Sequence, residues 1–221
     1  MNKKLYNALL LKKLLYLKEM GVKYIEPIVE YKEELNLPSS IKELQQTILN
    51  CHLCQLSKTR KNVVLGEGDI NSNLMFVGEA PGASEDEVGR VFVGRAGALL
   101  TKMIENVLKL SRDRVYITNI VKCRPPNNRA PTTTEALTCR AYLFKEIEIV
   151  KPKLIIALGS IAYTYLSNDK TPISKVRGNI IDVKNYKILP TYHPSYLLRN
   201  PSAKKEVYMD LLKAKEFLDL L

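Results

Sequence analysis

The sequence predicts an α/β fold, a three-layer sandwich in which a central four-stranded, mainly parallel sheet is flanked by helices. Three observations support this prediction. From residue 73 onward, short apolar runs of strand length alternate with longer segments of helical period. Capping boxes mark the starts of two helices. Glycine-rich and polar motifs follow the strands, at the sheet edge where parallel α/β proteins bind ligands.

The N-terminal region differs from the rest of the chain. Residues 1–38 predict a helical extension, because lysines run through an amphipathic pattern at 3–20 and are followed by a proline-containing connection. Residues 39–221 predict the main domain. Its first helix begins at the capping box Ser40-Ile-Lys-Glu43 and leads into Cys51.

The main domain then alternates between strands and helices. The capping box Thr132-Thr-Thr-Glu135 fixes the start of one helix, and the segment 174–187 fits either a hairpin or a loop. We expect strands at Leu74–Gly78, Val115–Ile120, Lys153–Leu158 and Lys187–Thr191. We expect helices near Ala96–Leu110, Thr134–Val150, Ser160–Leu166 and Ser202–Leu220.

Composition bounds the class of protein. A chain of 221 residues with 46% hydrophobic residues can form one sizeable domain with an appendage. It lacks a run of about 18 apolar residues and a signal-peptide pattern, so we expect a cytoplasmic protein without membrane association. We also expect a monomer. The formal charge of +11, from 34 basic and 23 acidic residues, favours a polyanionic partner such as DNA. A basic surface that serves only solubility is the alternative.

The cysteines suggest a metal site. Cys51, Cys54, Cys123 and Cys139 have the layout C-x2-C … C-x15-C and are the whole complement. In a reducing compartment this layout indicates zinc or an iron–sulfur cluster rather than disulfides. Cys139 stands alone in a predicted helix and Cys123 at a strand end, which favours iron–sulfur over the paired knuckles of zinc sites. Four unrelated buried cysteines remain the alternative.

Three motifs fall at the carboxyl ends of predicted strands. Gly78-Glu-Ala-Pro-Gly82 follows the first strand, Thr118-Asn119 ends the second, and Tyr192-His193-Pro-Ser195 follows the fourth. Because the carboxyl ends of parallel strands meet at one edge, we expect the three motifs to form one pocket.

Together these segments resemble the signature of family 4 uracil-DNA glycosylases over about residues 40–215. The matching segments begin at Gly78 (GEAPGASED), Phe92 (FVGRAG), Thr118 (TNIVKCRPPNNR) and His193 (HPS). Val91 departs from the proline that the family commonly has there. The resemblance implies a monofunctional hydrolase that flips uracil from single- or double-stranded DNA, leaves an abasic site and so starts base excision repair. It also implies a structural 4Fe-4S cluster on the four cysteines and no catalytic metal.

The chemistry of uracil excision suggests roles for individual side chains. Uracil presents a donor at N3 and an acceptor at O4, which the amide of Asn119 can match, whereas cytosine presents the reverse pattern. By resemblance, His193 donates to O2, where negative charge accumulates, and Phe92 stacks on the flipped base. Each residue also has an ordinary interpretation: a turn cap for Asn119, an inert surface histidine, and a core aromatic.

Two carboxylates adjoin the pocket. By resemblance, Glu79 and Glu85 act together with Asn119 and His193 in catalysis; solvated turn carboxylates are the alternative. Ala80 stands where family 1 enzymes have an aspartate, so electrostatic stabilisation of the uracil anion carries much of the expected rate. The uracil site implied by the resemblance comprises Gly78, Glu79, Ala80, Glu85, Phe92, Asn119 and His193.

A further set of residues is expected to hold DNA. Main-chain amides, hydroxyls and cations suit phosphate groups, and the basic segment 122–129 supplies cations. Apolar residues after the His-Pro-Ser motif can fill the gap that a flipped base leaves, or can instead begin the buried face of the last helix. The expected DNA-contacting residues are Gly82, Ser84, Arg124, Arg129, Ser195, Tyr196 and Leu198.

Two other functions compete with uracil excision. One is a non-catalytic iron–sulfur protein that binds nucleic acid and whose pocket has decayed. The other is a glycosylase of the same fold that acts on other deaminated or mismatched bases. The presence of Glu79, Asn119 and His193 at the family's positions argues against the first, and residues facing the C5 position of the base would decide the second.

Overall fold

The computed structural model describes residues 11–13, 15–21, 37–183 and 185–220. Its contacts divide the chain into two units, Met1–Leu35 and Asn36–Leu221. In the first unit, residues 11–13 and 15–19 are helical. Most of the predicted N-terminal extension therefore lies outside the described residues, and its boundary at residues 38 and 39 stays a prediction.

The second unit is built on one sheet, which has six strands in the described part of the chain. The strands lie in the order β1-β3-β2-β4-β6-β5, and the four inner ones are parallel. These inner strands confirm the four predicted strands and the α/β class. The strands are β1 (Glu67–Gly68), β2 (Leu74–Gly78), β3 (Tyr116–Asn119), β4 (Leu154–Leu158), β5 (Ile181–Val183) and β6 (Tyr186–Thr191).

The prediction of four strands missed the two edges. β1 pairs antiparallel with β3, and β5 forms an antiparallel hairpin with β6. Each has only two or three residues, too few to show the alternation by which a strand is recognised in a sequence. The hairpin also resolves the ambiguous segment 174–187.

Helices cover both faces of the sheet. The Thr132 side chain accepts from the amide of Glu135 at 3.2 Å, and the Glu135 carboxylate accepts from the amide of Thr132 at 2.8 Å, which confirms this capping box. The α-helices are α1 (Ile41–Leu49), α2 (Ala83–Val88), α3 (Arg95–Met103), α4 (Thr133–Val150), α5 (Ser160–Ser167), α6 (Ile173–Val176), α7 (Pro194–Arg199) and α8 (Lys204–Asp219).

Two predicted helices have different bounds. The helix expected at Ala96–Leu110 continues beyond α3 as a π-helical turn at Ile104–Leu108 and ends where Lys109 adopts the left-handed conformation, with φ of 59°. The last helix begins at Lys204, because Pro201–Ala203 forms a separate 3-10 turn. The short helices α2, α6 and α7 were not predicted, since none is long enough to establish a helical period.

The core has two layers, one on each face of the sheet. Met75 and Val77 of β2 pack with α1, α4 and α5 on one face, whereas Leu74 and Phe76 pack with α3 and α8 on the other. Successive side chains of a strand point to opposite faces, so a strand buried on both sides is apolar throughout. This confirms the three-layer arrangement. No helix in the described ranges is long and apolar enough to span a membrane.

Candidate active site and cysteine cavity

A cleft of about 720 Å³ lies at the carboxyl edge of the parallel strands. Each inner strand contributes to its lining: Glu79 follows β2, Asn119 ends β3, Gly159 follows β4 and His193 follows β6. The three motifs that the sequence placed at strand ends therefore meet in one pocket.

Asn119 lies at the floor of this cleft. Its residue exposure is 2%, and its Oδ1 atom is buried without a hydrogen-bond partner among the described residues. Gly78 lies beside it on β2, where an added Cβ would collide with Asn119 Oδ1 and come within 2.6 Å of Phe92 Cζ. The glycine thus makes room for both side chains, and the Asn119 acceptor is left without a partner among the described residues.

Phe92 forms one wall of the cleft. Its φ of 49° is unusual for a residue with a side chain, and the residue is 6% exposed. Its carbonyl oxygen packs so closely on Gly97 that a Cβ there would collide with it. The ring centroid lies 5.7 Å from that of His193, with the planes tilted by 32°. A flat ligand can therefore meet an aromatic face and the imidazole in the same space.

His193 is fixed in one tautomer at the N-terminus of α7. Its Nδ1 accepts from the amide of Ser195 at 3.1 Å and lies 2.8 Å from the Ser195 Oγ. Nδ1 is therefore the acceptor nitrogen, and Nε2 carries the proton of the neutral ring. Burial, assisted by the positive charge of Arg199, lowers the pKa of His193 to about 4. The side chain is a neutral hydrogen-bond donor at physiological pH.

Glu85 lines the cleft, but its carboxylate is committed to the main chain. One oxygen accepts from the amides of Val93 at 3.0 Å and Gly94 at 2.8 Å, and the other accepts from the amide of Gly82 at 3.1 Å. The carboxylate fastens the Gly-Glu-Ala-Pro-Gly loop to the start of α3. Loops that supply ligand-binding amides need such fastening to keep their geometry.

Glu79 has the opposite character. It lines the same cleft next to Ala80, is half-buried, and its carboxylate makes no hydrogen bond to another described residue. Burial raises its pKa above the ordinary value of 4.5. Its oxygens are available to accept from water or a ligand.

The residues expected to hold DNA divide into two groups. Gly82, Arg129, Ser195 and Tyr196 line the cleft, whereas the structure places the other three outside its lining: Ser84, Arg124 and Leu198. Arg129 forms two 2.8 Å bonds to the carboxylate of Glu135, which lowers the pKa of that carboxyl group to about 2.

The apolar residues after the His-Pro-Ser motif do not begin the last helix. Tyr196 and Leu198 lie on α7, and each is 37% exposed, whereas Leu197 between them is buried. Tyr196 packs against Tyr192, with ring centroids 4.9 Å apart. The interpretation as a buried face of the last helix is therefore wrong for Tyr196 and Leu198, which are accessible from solvent.

Sequence reasoning missed several residues of the cleft. The strand-end rule, applied also to β4, would have found Gly159 and Ser160; no pattern in the sequence singles out Ile173 and Ser174 of the short helix α6. The cleft-lining residues without a predicted role are Pro81, Ala96, Pro125, Asn128, Gly159, Ser160, Ile173, Ser174, Tyr192 and Arg199.

The four cysteines line a second, much smaller cavity. Cys51 and Cys54 follow α1, Cys123 follows β3, and Cys139 lies in α4. None forms a disulfide. Burial raises the pKa of Cys139 to about 12 and that of Cys123 above its ordinary value. Because the thiolate is the form that ligates a metal, a metal centre bound here would have to displace the thiol protons.

The surroundings of the cavity provide positive charge. Arg60 Nη1 donates to the Cys123 sulfur at 3.1 Å. In the described part of the chain, no three His, Cys, Asp or Glu side chains are arranged to hold a single metal ion. A donor set of four thiols around one cavity, with a cation bonded to a sulfur, fits the ligation of an iron–sulfur cluster.

Comparison with known proteins agrees with this geometry. Residues 65–214 match the profile of the uracil DNA glycosylase superfamily. The chain is 47% identical to a type-4 uracil-DNA glycosylase of Thermotoga maritima over 79% of this chain and 93% of that protein. It is 48% identical to a type-4 enzyme of Saccharolobus solfataricus and 44% identical to one of Sulfurisphaera tokodaii, over 77% and 80% of this chain and 83% and 84% of those proteins.

Proposed function

This chain belongs to the uracil-DNA glycosylase superfamily, within it to the type-4 enzymes, and we propose that its cleft binds a uracil flipped out of DNA. The chain is a uracil-DNA glycosylase, a hydrolase of the N-glycosidic bond that leaves an abasic site and starts base excision repair. The observation that carries the proposal is the buried, unpaired oxygen of Asn119 at the floor of the cleft.

Asn119 is the proposed reader of the base. Its unpaired Oδ1 accepts from uracil N3, and its amide nitrogen donates to O4. Cytosine would place a donor against the amide nitrogen and an acceptor against Oδ1, so both contacts would be mismatched. A site built for such a pair rejects the wrong base strongly, because its buried polar groups are then left unsatisfied.

His193 is the proposed stabiliser of the leaving group. Breakage of the glycosidic bond leaves negative charge on uracil, and the neutral imidazole can donate its Nε2 proton to O2 as that charge develops. The low pKa keeps the ring a donor without a full positive charge. Phe92, at 5.7 Å from the imidazole, supplies the face on which the flipped base stacks.

The two carboxylates are proposed to differ in role. Glu85 positions the loop, since both of its oxygens bond main-chain amides. Glu79 has oxygens without protein partners in the described residues and is the better candidate to orient the attacking water. Because Glu79 lines the same cleft, its negative charge would attract the positive charge that develops on the sugar and so assist bond breakage.

We further propose that Cys51, Cys54, Cys123 and Cys139 hold a 4Fe-4S cluster. The four thiols share one cavity, and Arg60 supplies positive charge beside it. The cluster would tie the loop after α1 to β3 and α4, a structural role. The enzyme's catalytic chemistry is assigned to its side chains and not to a metal.

DNA is the proposed partner, either single- or double-stranded, and the enzyme is proposed to act as a monomer. The formal charge of +11 suits a polyanion. Tyr196 and Leu198 are exposed on α7 next to His193, where an apolar side chain can occupy the space of the flipped base.

The decisive experiment is single-turnover excision by Asn119→Asp, measured on matched oligonucleotides that contain uracil or cytosine. The substitution keeps the volume but replaces the amide donor with a carboxylate, so we expect uracil excision to fall at least about a hundredfold. A protonated carboxyl can accept from cytosine N4 and donate to N3, so trace cytosine excision should appear and should increase at lower pH.

Asn168→Asp is the matched control. Asn168 ends α5 and accepts from Arg140 at 3.0 Å, outside the cleft lining, and a carboxylate can accept the same bond. We expect wild-type excision. Near-wild-type uracil excision by Asn119→Asp would show that the base is not read by this residue.

A further inference from the structure

A buried ion pair adjoins both Asn119 of the cleft and the cysteine cavity, which Lys122 helps to line. Lys122 is 1% exposed and Glu146 of α4 is fully buried, and Lys122 Nζ lies 2.6 Å from a carboxylate oxygen of Glu146. The charge pattern of residues 122–129 predicts a basic segment that contacts DNA. For Lys122 that interpretation is wrong, because its ammonium group has no access to a phosphate.

Every donor of this lysine is used. An ammonium group has three N–H bonds, and those of Lys122 reach the Thr118 Oγ1 at 2.5 Å, the Asn119 carbonyl oxygen at 3.0 Å and the Glu146 carboxylate. Glu146 also accepts from the hydroxyls of Thr118 at 3.0 Å and Tyr116 at 3.3 Å. Glu146 of α4 therefore bonds two residues of β3 directly, Tyr116 and Thr118, and Lys122 links its carboxylate to the carbonyl oxygen of Asn119.

Stability alone does not explain such a network. Removal of two charges from water costs several kcal/mol per ion, and apolar replacements of buried pairs are often equally stable. What this pair provides is a fixed cation at the carboxyl end of β3. Asn119 is the last residue of β3 that pairs with β2, opposite Gly78, and its carbonyl is held by Lys122.

We propose that Lys122 is a positioning residue for base recognition. Its ammonium group, itself oriented by Glu146 and Thr118, holds the main chain of Asn119 and thereby fixes the position of the unpaired side-chain oxygen at the floor of the cleft. The inference rests on the proposed reading role of Asn119. A displacement of about 1 Å in a substrate-positioning group can lower a rate by about a hundredfold.

The test uses the holoenzyme with Lys122→Met combined with Glu146→Gln. This double variant removes both charges, roughly keeps their volumes, and leaves an amide oxygen that can accept from Tyr116. The thermal midpoint and the iron content should stay near wild type. The single-turnover rate on uracil DNA should fall by about ten- to a hundredfold, and the inhibition constant of free uracil should rise by about tenfold. The affinity for abasic DNA should not change.

Glu146→Gln alone separates positioning from stability. It keeps Lys122 and its bond to the Asn119 carbonyl but leaves a buried ammonium without an ionic partner. We therefore expect a lower thermal midpoint than in the double variant. The inhibition constant of free uracil should rise less than in the double variant, because Lys122 can still donate to the Asn119 carbonyl oxygen. Glu146→Gln alone should therefore have the lower thermal midpoint, whereas the double variant should have the weaker binding of uracil.

Wild-type rate and wild-type uracil inhibition in a folded double variant would overturn the inference. A loss of iron that parallels the loss of rate would also overturn it, because the network would then act by supporting the cysteines. Asn119→Asp distinguishes this failure from failure of the proposed function. If Asn119→Asp is inactive and the double variant is unchanged, only the role of Lys122 is wrong; if Asn119→Asp stays active, the reading role itself is wrong.

Discussion

The cleft and the buried Lys122–Glu146 network both include residues of β3, but they differ in how far their polar groups are hydrogen-bonded. In the network, all three donors of Lys122 and both oxygens of Glu146 are satisfied. In the cleft, one residue after Thr118, the oxygen of Asn119 is buried and unpaired. An unsatisfied buried acceptor costs about 1–3 kcal/mol. The difference indicates which groups the fold keeps for its own stability and which it leaves for a substrate.

The same contrast separates the two carboxylates of the cleft. Glu85 uses both oxygens to fasten main-chain amides, whereas Glu79 has none of its oxygens bonded to another described residue. Glu79 directly follows β2 and Glu85 lies in α2, and both line the same cleft. Lining a pocket is therefore a weaker indication of catalytic contact than an unsatisfied polar group that faces it.

The largest expected effect comes from Gly78→Ala, which fills the space that the unpaired oxygen needs. The new Cβ would collide with Asn119 Oδ1 and crowd the Phe92 ring, so both groups must move. We expect single-turnover uracil excision to fall by about a thousandfold, because base pairing and stacking are lost together. Circular dichroism and the thermal midpoint should show a folded protein.

Gly89→Ala provides the contrast to Gly78→Ala. Gly89 has φ of 76° and its Cβ would make only ordinary contact with Asn62. The left-handed backbone should lower the free energy of unfolding by about 1 kcal/mol, and activity should be retained. If both glycine variants lost activity in proportion to stability, the cleft would not be more sensitive than the rest of the fold.

The cysteine cavity gives the next largest effect, on stability. The wild-type protein purified without oxygen should contain about four iron and four sulfide per chain. Cys123→Ala should lose iron and lower the free energy of unfolding by about 4 kcal/mol or more, the range expected when a structural metal centre is lost. His52→Ala, at the exposed residue between Cys51 and Cys54, should keep its iron. Stoichiometric zinc without iron would contradict the assignment.

The sequence predicted the inner strands and the cleft motifs because local patterns determine them. β2 and β4 are buried throughout and read as continuous apolar runs, and the box at Thr132 is completed within four residues. The burial of Lys122 was missed because it depends on a contact that is distant in the sequence. Its partner Glu146 is 24 residues away, so charge in the sequence gave no indication of burial. The fastening role of Glu85 likewise depends on amides of a different loop.

Glu79→Gln tests the contrast between the carboxylates through pH. Burial raises the pKa of Glu79, so in the wild type the rate should fall as pH decreases through that raised value. His193 has a pKa of about 4 and is neutral at higher pH, so its titration adds no further step to the pH–rate profile in the range where Glu79 titrates. Glu79→Gln should lower the rate by about ten- to a hundredfold and abolish the acidic limb.

Glu79→Gln should lower the rate but raise the stability of the protein at neutral pH. A carboxyl whose folded pKa is raised contributes stability below its unfolded pKa of 4.5, and this contribution is lost as pH rises through the folded pKa. Glu79→Gln should therefore raise the thermal midpoint at pH 7. Glu85→Gln should lower it, since one amide oxygen cannot replace two carboxylate oxygens. If the two variants changed the thermal midpoint and the pH–rate profile equally, the proposed difference in role between Glu79 and Glu85 would be wrong.

The smallest expected effect extends the contrast between satisfied and available groups to the arginines. The guanidinium of Arg129 is paired with Glu135 by two bonds of 2.8 Å, whereas Arg124 Nε donates to the neutral Asn128 side chain at 2.9 Å, and no acidic partner of Arg124 is found among the described residues. Arg124 therefore keeps a net charge for phosphate, and Arg129 is largely neutralised.

A protein cation that binds a phosphate releases a counterion, so Arg124→Ala should lower the slope of log affinity against log salt by about one unit. It should do so on every DNA sequence alike. Arg129→Ala should leave the slope nearly unchanged. It should lower the thermal midpoint, because Glu135 in the first turn of α4 would lose its two bonds to Arg129. Titration of abasic DNA at several salt concentrations measures both slopes. Equal slope changes would mean that Glu135 releases Arg129 when DNA binds, and the pairing seen in the structure would then be a resting contact that phosphate displaces.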